Sequence, residues 1–274
     1  MNKFVRQLGI ISRLNDYPDM EELNIEKESL LKLLESKYSE AFGLLKQGVS
    51  IRRSFSTKYE KPFIQKPVER VSQDTGSVGN FYTLMIDNDP SFKGFPKRSK
   101  SFICHAGLQK GQRGYMAKTS YYVFPENGTK VGICDSDDIW NPKIQYESDK
   151  YTVENLMGQI VKFIRSCADG KPIFYDKMTY DDLVNLQIDP SKSSIMYLTP
   201  FQESLVDNLN THNGKIINSL RDIITPENFK LIVSKLSDLK SNLHGVHEQE
   251  VWFETPSLFV EKELFISMFP DFEV

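Results

Sequence analysis

Between residues 248 and 253 the chain reads Glu-Gln-Glu-Val-Trp-Phe, and this run restricts the fold more than any other. Glu248, Glu250 and Trp252 fall on one side of a period-2 pattern, and Gln249, Val251 and Phe253 on the other. Such alternation predicts a strand, on which residues two apart point the same way. Two carboxylates then stand side by side. Burying them without partners costs mutual repulsion and lost hydration, so the pair is either solvated or kept for use.

The rest of the chain sets the context of that strand. Leu30, Leu33, Leu34, Tyr38, Ala41, Phe42 and Leu45 recur at helical spacing and predict one amphipathic helix of about five turns, stopped at Gly48. Val49, Ile51 and Phe55 then alternate along a strand that carries Arg52 and Arg53. Residues 56–98 read mostly as loop, with a short element in FYTLMID. Residues 121–124 and 130–134 read as two strands around PENG, whose Asn127-Gly128 suits a turn. From Tyr151 to about 243 the pattern is helical. Its last helix is expected to start at Pro226, capped by Thr225, with Phe229, Ile232, Val233, Leu236 and Leu239 as its buried stripe.

This order of helix, strands, helical block and strands predicts an α+β fold. The expected parts are an N-terminal helical region (1–48), the first half of a core (49–140), a helical insertion (141–243) and the second half of the core (244–274), all in one domain. A chain of 274 residues with 39% hydrophobic and 26% charged side chains has material for that. Its net charge of −3 gives no global pull toward nucleic acid or a membrane. Cys104, Cys134 and Cys167 lack paired spacing, which argues against a disulfide framework and for a reducing cytosol. MNKFVRQLGIISRLND is too polar for a signal peptide, and no apolar run has the length of a membrane span.

Three features now stand in order: the strand with Arg52-Arg53, a serine-bearing strand start at Arg98-Ser99-Lys100-Ser101-Phe102, and Glu248-x-Glu250 opening a late strand. With these the chain resembles the mono-ADP-ribosyltransferase superfamily, in its arginine–serine–glutamate class, over about residues 45–140 and 244–262. KSFIC, YYVFPENGTKVGIC and EVWF resemble phage-encoded, toxin-like members, which would act in a host cytoplasm. The second motif departs from a clean Ser-Thr-Ser, and the family's glycine after its arginine is absent here.

The resemblance implies a split-sheet core, NAD as co-substrate and transfer of ADP-ribose to a macromolecular acceptor. Glu250 would stabilise the oxocarbenium-like cation formed when the bond to nicotinamide breaks, and would hold the ribose 2′-hydroxyl. Glu248 would orient or deprotonate the acceptor, which in members with two acids is often a protein arginine. Arg52 or Arg53 would grip the NAD pyrophosphate or ribose with a bidentate fork. A hydroxyl from Ser99 or Ser101 would fix the catalytic carboxylate, and Phe102 and Tyr115 would wall the nicotinamide.

Blander readings stand beside these. The arginines can be exposed strand residues, the serines loop residues, Asp135, Asp137 and Asp138 a solvated turn, and Trp140 and Trp252 core aromatics. His244 and His247 precede a strand without a further ligand cluster, so no metal is expected. A basic stretch at Lys93, Lys97, Arg98, Lys100, Lys110 and Arg113 could instead steer a nucleic acid to the site. The whole could also be a non-catalytic binding or structural protein that keeps the fold.

Overall fold

The computed structural model describes residues 20–69, 80–108, 119–146, 149–168, 178–244, 248–270 and 272. Nine of the described strands form one antiparallel sheet. In chain order they are β1 (Met20–Glu22), β2 (Val49–Phe55), β3 (Phe63–Gln65), β4 (Phe102–Leu108), β5 (Thr119–Pro125), β6 (Lys130–Cys134), β9 (Leu231–Lys235), β10 (Gln249–Phe253) and β11 (Ser257–Glu261). The spatial order is β1-β3-β11-β5-β2-β4-β10-β6-β9. A separate hairpin, β7 (Lys143–Tyr146) with β8 (Asp149–Thr152), completes the strands. The α+β class expected from the sequence is observed.

Two short links force this sheet to fold over. β10 and β11 lie four places apart in the sheet, roughly 19 Å if it were flat. Residues 254–256 alone join them, and that link can span only about 14 Å. The link from β5 to β6, residues 126–129, makes the same crossing. The two links touch where Glu126 N–H donates to the Pro256 carbonyl at 3.4 Å and Thr129 Oγ1 meets Thr255 Oγ1 at 2.8 Å. The strands around PENG are therefore real, but they are not neighbours in the sheet.

On the concave face, aromatic side chains from both halves of the sheet meet. Phe102 of β4 lies 5.1 Å from Phe259 of β11 and 6.1 Å from Phe253 of β10. Phe55, Phe63 and Tyr121 join the same cluster. Each such ring taken from water contributes about 1.5–3 kcal/mol, so this core holds the bend. Helices α1 (Lys27–Ser36), α2 (Ser39–Lys46) and α8 (Lys262–Met268) add Leu30, Leu34, Phe42 and Phe265 to the same buried cluster. Phe42 and Phe265 pack on Phe124, and Phe265 also on Tyr122.

The expected five-turn helix is thus two helices, broken at Lys37-Tyr38. The cause lies in the 126–129 link. Asn127 donates from Nδ2 to the Ser36 carbonyl at 2.7 Å and accepts the Glu40 N–H at 3.0 Å, and its own N–H donates to the Lys37 carbonyl at 3.0 Å. These bonds satisfy the backbone groups that the break leaves open.

A helical layer covers part of the other face. It comprises α3 (Phe81–Asn88), α4 (Val153–Ser166), α5 (Tyr180–Asn185), α6 (Pro200–Thr211) and α7 (Ile216–Ile223), packed around Trp252 and Cys134 of the sheet. FYTLMID is α3, the short element expected there, formed as a helix. The helix expected from Pro226 does not form. Asn228 N–H donates to Thr225 Oγ1 within a turn, and residues 231–235 become the edge strand β9 on β6. The sheet therefore reclaims the chain at 231, inside the stretch expected to be helical up to 243. Among the described residues no helix is long and apolar enough to cross a membrane.

Candidate active site

The site grows from register. Arg52 of β2 lies opposite His105 of β4, and His105 lies opposite Glu250 of β10. Residues directly opposite on paired strands share a face, so these three form one row, with Tyr122 of β5 opposite Arg52 at its end. Val251 and Phe253 turn to the aromatic core, while Trp252 turns to the helical layer on the row's side. The alternation read from the sequence is the one observed.

Neighbouring arginines have opposite fates. Arg52 stands on the row's face and ion-pairs with Glu248, their side chains 12% and 19% exposed. Burial lowers the Arg52 pKa, with Tyr122 opposing. Arg53 points to the aromatic face, over the rings of Phe55 and Phe102, and donates from Nη1 to the Ile103 carbonyl at 3.2 Å. Arg53 is therefore not placed to hold a ligand beside Glu250.

Glu250 is held by Arg98, whose Nε and Nη2 both donate to Oε1, at 3.1 and 3.0 Å. The two side chains are 4% and 18% exposed respectively. Burial pushes the Glu250 carboxyl above the ordinary range; Arg98 pulls it back and Asp138 pushes it further up. Arg98 starts a short 3-10 turn, Arg98–Lys100, that leads into β4.

That turn explains the two serines. Ser101 is buried and donates its hydroxyl to the Lys97 carbonyl at 2.7 Å. Ser99 donates its backbone N–H to Asp87 at the end of α3, at 3.1 Å. Both serines fasten the arginine-bearing turn, so the expected serine clamp on the carboxylate is replaced by a guanidinium. Phe102 also departs from expectation: it packs among Phe253 and Phe259 in the concave core and walls no ligand. Tyr115 lies outside the described residues.

The acidic run DSDDIW folds over the row, with Asp135 and Asp137 exposed to solvent as the turn reading expected and Asp138 half-buried. Glu250 N–H donates to the Ser136 carbonyl at 2.6 Å, and the Ile139 N–H acts to lower the pKa of the Glu250 carboxyl. His105 Nε2 lies 3.0 Å from the Asp137 carbonyl, which can only accept, so that nitrogen carries the proton. Burial lowers the His105 pKa, against the Asp137 contacts that raise it.

Two buried tyrosine hydroxyls, Tyr122 beside Arg52 and Tyr82 of α3, find no hydrogen-bond partner among the described residues. Burial raises the Tyr82 pKa well above its ordinary value, and the charges acting on it include those of Cys134, Arg98 and Glu250. Of the basic stretch, Lys93, Lys97 and Lys100 are exposed, Arg98 is committed to Glu250, and Lys110 and Arg113 lie outside the described residues. His247 lies outside them too, and among those described no His, Cys, Asp and Glu side chains gather as a metal site.

Arg98, His105 and Tyr82 are the residues that motif reading passed over. His105 was within reach: buried Cys104 and Ala106 flank it, and alternation puts it on the polar face. Arg98 carries no such signal, because it reaches Glu250 from a turn. In comparisons with known proteins, no family model, no curated protein and no solved structure matches the chain.

Proposed function

We propose that the row is the active site of an NAD-dependent ADP-ribosyltransferase acting on a macromolecule, with protein arginine as the first acceptor class. The observation that supports this reading is the meeting of Arg52 on β2 with Glu248 and Glu250 at the start of β10, on one face of the sheet and across β4. These are the arginine and paired acids of the resemblance, and the folded-over sheet suits the split core it implies. In the reaction the bond from ribose C1 to the nicotinamide nitrogen breaks, and nicotinamide leaves with that electron pair. Glu250 stabilises the cationic sugar, and Arg52 exchanges Glu248 for a phosphate oxygen. Glu248, so released, takes a proton from the attacking guanidinium.

Labelled NAD incubated with the protein and a cell lysate tests this. The expected result is acceptor label that protease releases and nuclease does not, lost in Glu250→Gln and reduced in Glu248→Gln, with much of the NAD hydrolysis surviving in the latter. Undiminished label in Glu250→Gln overturns the assignment. Nuclease-sensitive label that fades steeply with salt moves the acceptor to nucleic acid and the binding surface to Lys93, Lys97 and Lys100.

A second reading has its own support. Glu250, Trp252 and Glu254, alternate residues along one face of the chain, hold Arg98, the Pro96 carbonyl and the Lys97 N–H in turn. That pattern suits a structural clamp in a non-catalytic protein. No release of nicotinamide from NAD, together with a loss of stability above about 2 kcal/mol in Glu250→Gln, would establish it.

A further inference from the structure

We infer that Arg98 is the positioning residue of this site: its two-pronged contact fixes one oxygen of Glu250, so that the carboxylate meets a ligand in a single orientation. Both Arg98 donors engage Oε1, and a guanidinium is a rigid plane, so the pair has little rotational freedom. A carboxylate offers about four lone-pair sites. Two are taken by Arg98, which leaves room for a further donor, such as a sugar hydroxyl.

Such a contact could instead be a latch that swings away when a ligand arrives. The backbone argues against it. The Pro96 carbonyl accepts from Trp252 Nε1–H at 2.9 Å, Lys97 N–H is held by Glu254, and the Lys97 carbonyl by Ser101. The N–H groups of Arg98 and Ser99 both donate to the Asp87 carboxylate. Consecutive residues are thus tied from both flanks, by α3 on one side and β10 on the other. A moving latch would need free backbone on at least one side. This turn is a fixed mount.

The catalytic part of the inference rests on the transferase reading; the hold on Glu250 does not. The charged and titratable groups around Glu250 are Arg98 and Asp87 through the turn, Asp138 and Cys134 from the acidic loop and β6, His105 from β4, and Tyr82 from α3. Of these only Arg98 carries a fixed positive charge onto the carboxylate, so its removal should dominate the titration.

The test is a side-chain carbon NMR titration of the glutamates in the full chain, with the Glu250 signal assigned by its loss in Glu250→Gln. Arg98→Gln should raise the Glu250 midpoint by about one pH unit, a tenfold change in its proton affinity. Arg98→Lys keeps the charge but not the fork, and should give a smaller rise. In turnover, the acid limb of kcat/KM should move up with the NMR midpoint, and kcat should fall while KM for NAD changes little. A folded Arg98→Gln whose Glu250 midpoint matches wild type overturns the inference. If that variant fails to fold, an unshifted midpoint in Arg98→Lys does so. Wild-type protein that leaves NAD intact counts against the transferase reading alone, and the NMR arm still decides the role of Arg98.

Discussion

Asp89 and Glu250 are both buried carboxylates bonded by an arginine, yet the protein treats them in opposite ways. Asp89 accepts from Arg221 Nε at 2.7 Å, Tyr180 Oη at 2.8 Å, and Ser91 N–H and Oγ at 3.0 and 2.7 Å. Burial alone would raise its pKa, but these bonds outweigh it and hold the group below the ordinary value. Glu250 has fewer donors for its burial, and its pKa ends above the ordinary value. Asp89 is a satisfied joint between α3, α5 and α7. Glu250 retains capacity to bond, as the role proposed for it requires. The difference lies in the number of donors supplied around each carboxylate and in the deeper setting of Glu250, on which burial acts more strongly.

The largest effect should come from breaking the satisfied joint. Asp89→Ala leaves Arg221 and Tyr180 without their acceptor and should cost about 3–5 kcal/mol in denaturant unfolding. A loss no greater than that of Glu250→Gln would erase the distinction between the two sites. Next, Glu250→Gln should lower transfer of label from NAD by about 100-fold or more, with an unfolding midpoint near wild type. If stability falls as far as transfer, Glu250 belongs with Asp89 as a joint.

A third change probes the floor of the Glu250 side. A Cβ on Gly132 would sit 2.2 Å from the Trp252 ring, so Gly132→Ala should cost about 1–3 kcal/mol by overpacking. It should also loosen the Pro96–Arg98 turn that Trp252 holds, raising hydrogen exchange at Lys97 and Arg98 N–H while Asp89's bonds persist. Equal exchange in both regions would mean that the two halves of the helical layer are one cooperative unit.

The smallest effect is in pH dependence, where the signs differ. Asp89 has a depressed folded pKa, so its stabilisation is present above the unfolded value of about 3.9 and is lost as pH falls through the folded pKa. Glu250 has a raised folded pKa, so its contribution is fully present below the unfolded value of about 4.3 and declines as pH rises through the folded pKa. Wild type should therefore lose stability relative to Glu250→Gln as pH rises from 4 to 7. A difference that stays flat with pH would contradict the raised pKa.

Local pattern was enough for some of this. Alternation at 248–253 fixes which residues share a face, because side-chain direction on a strand follows the backbone alone. The same rule separates Arg52 from Arg53, though not which of them meets the acids. The helical faces of residues 27–46 and 153–166 are legible for the same reason, since Leu30 and Leu34, or Leu156, Ile160 and Ile164, recur at the helix period.

What tertiary structure decided are the contacts between segments far apart in the chain. Asn127 breaks the first helix from 87 residues away along the chain, as measured from Glu40. Residues 231–235 become a strand because β6 offers an open edge, which outweighs a helical spacing of Leu and Val. Arg98 takes the place expected of a serine because Asp87, Trp252 and Glu254 hold its turn over Glu250. Local periodicity records how a segment packs against some neighbour. Which neighbour it meets, and with what charge, depends on chain closure and register that no single segment encodes.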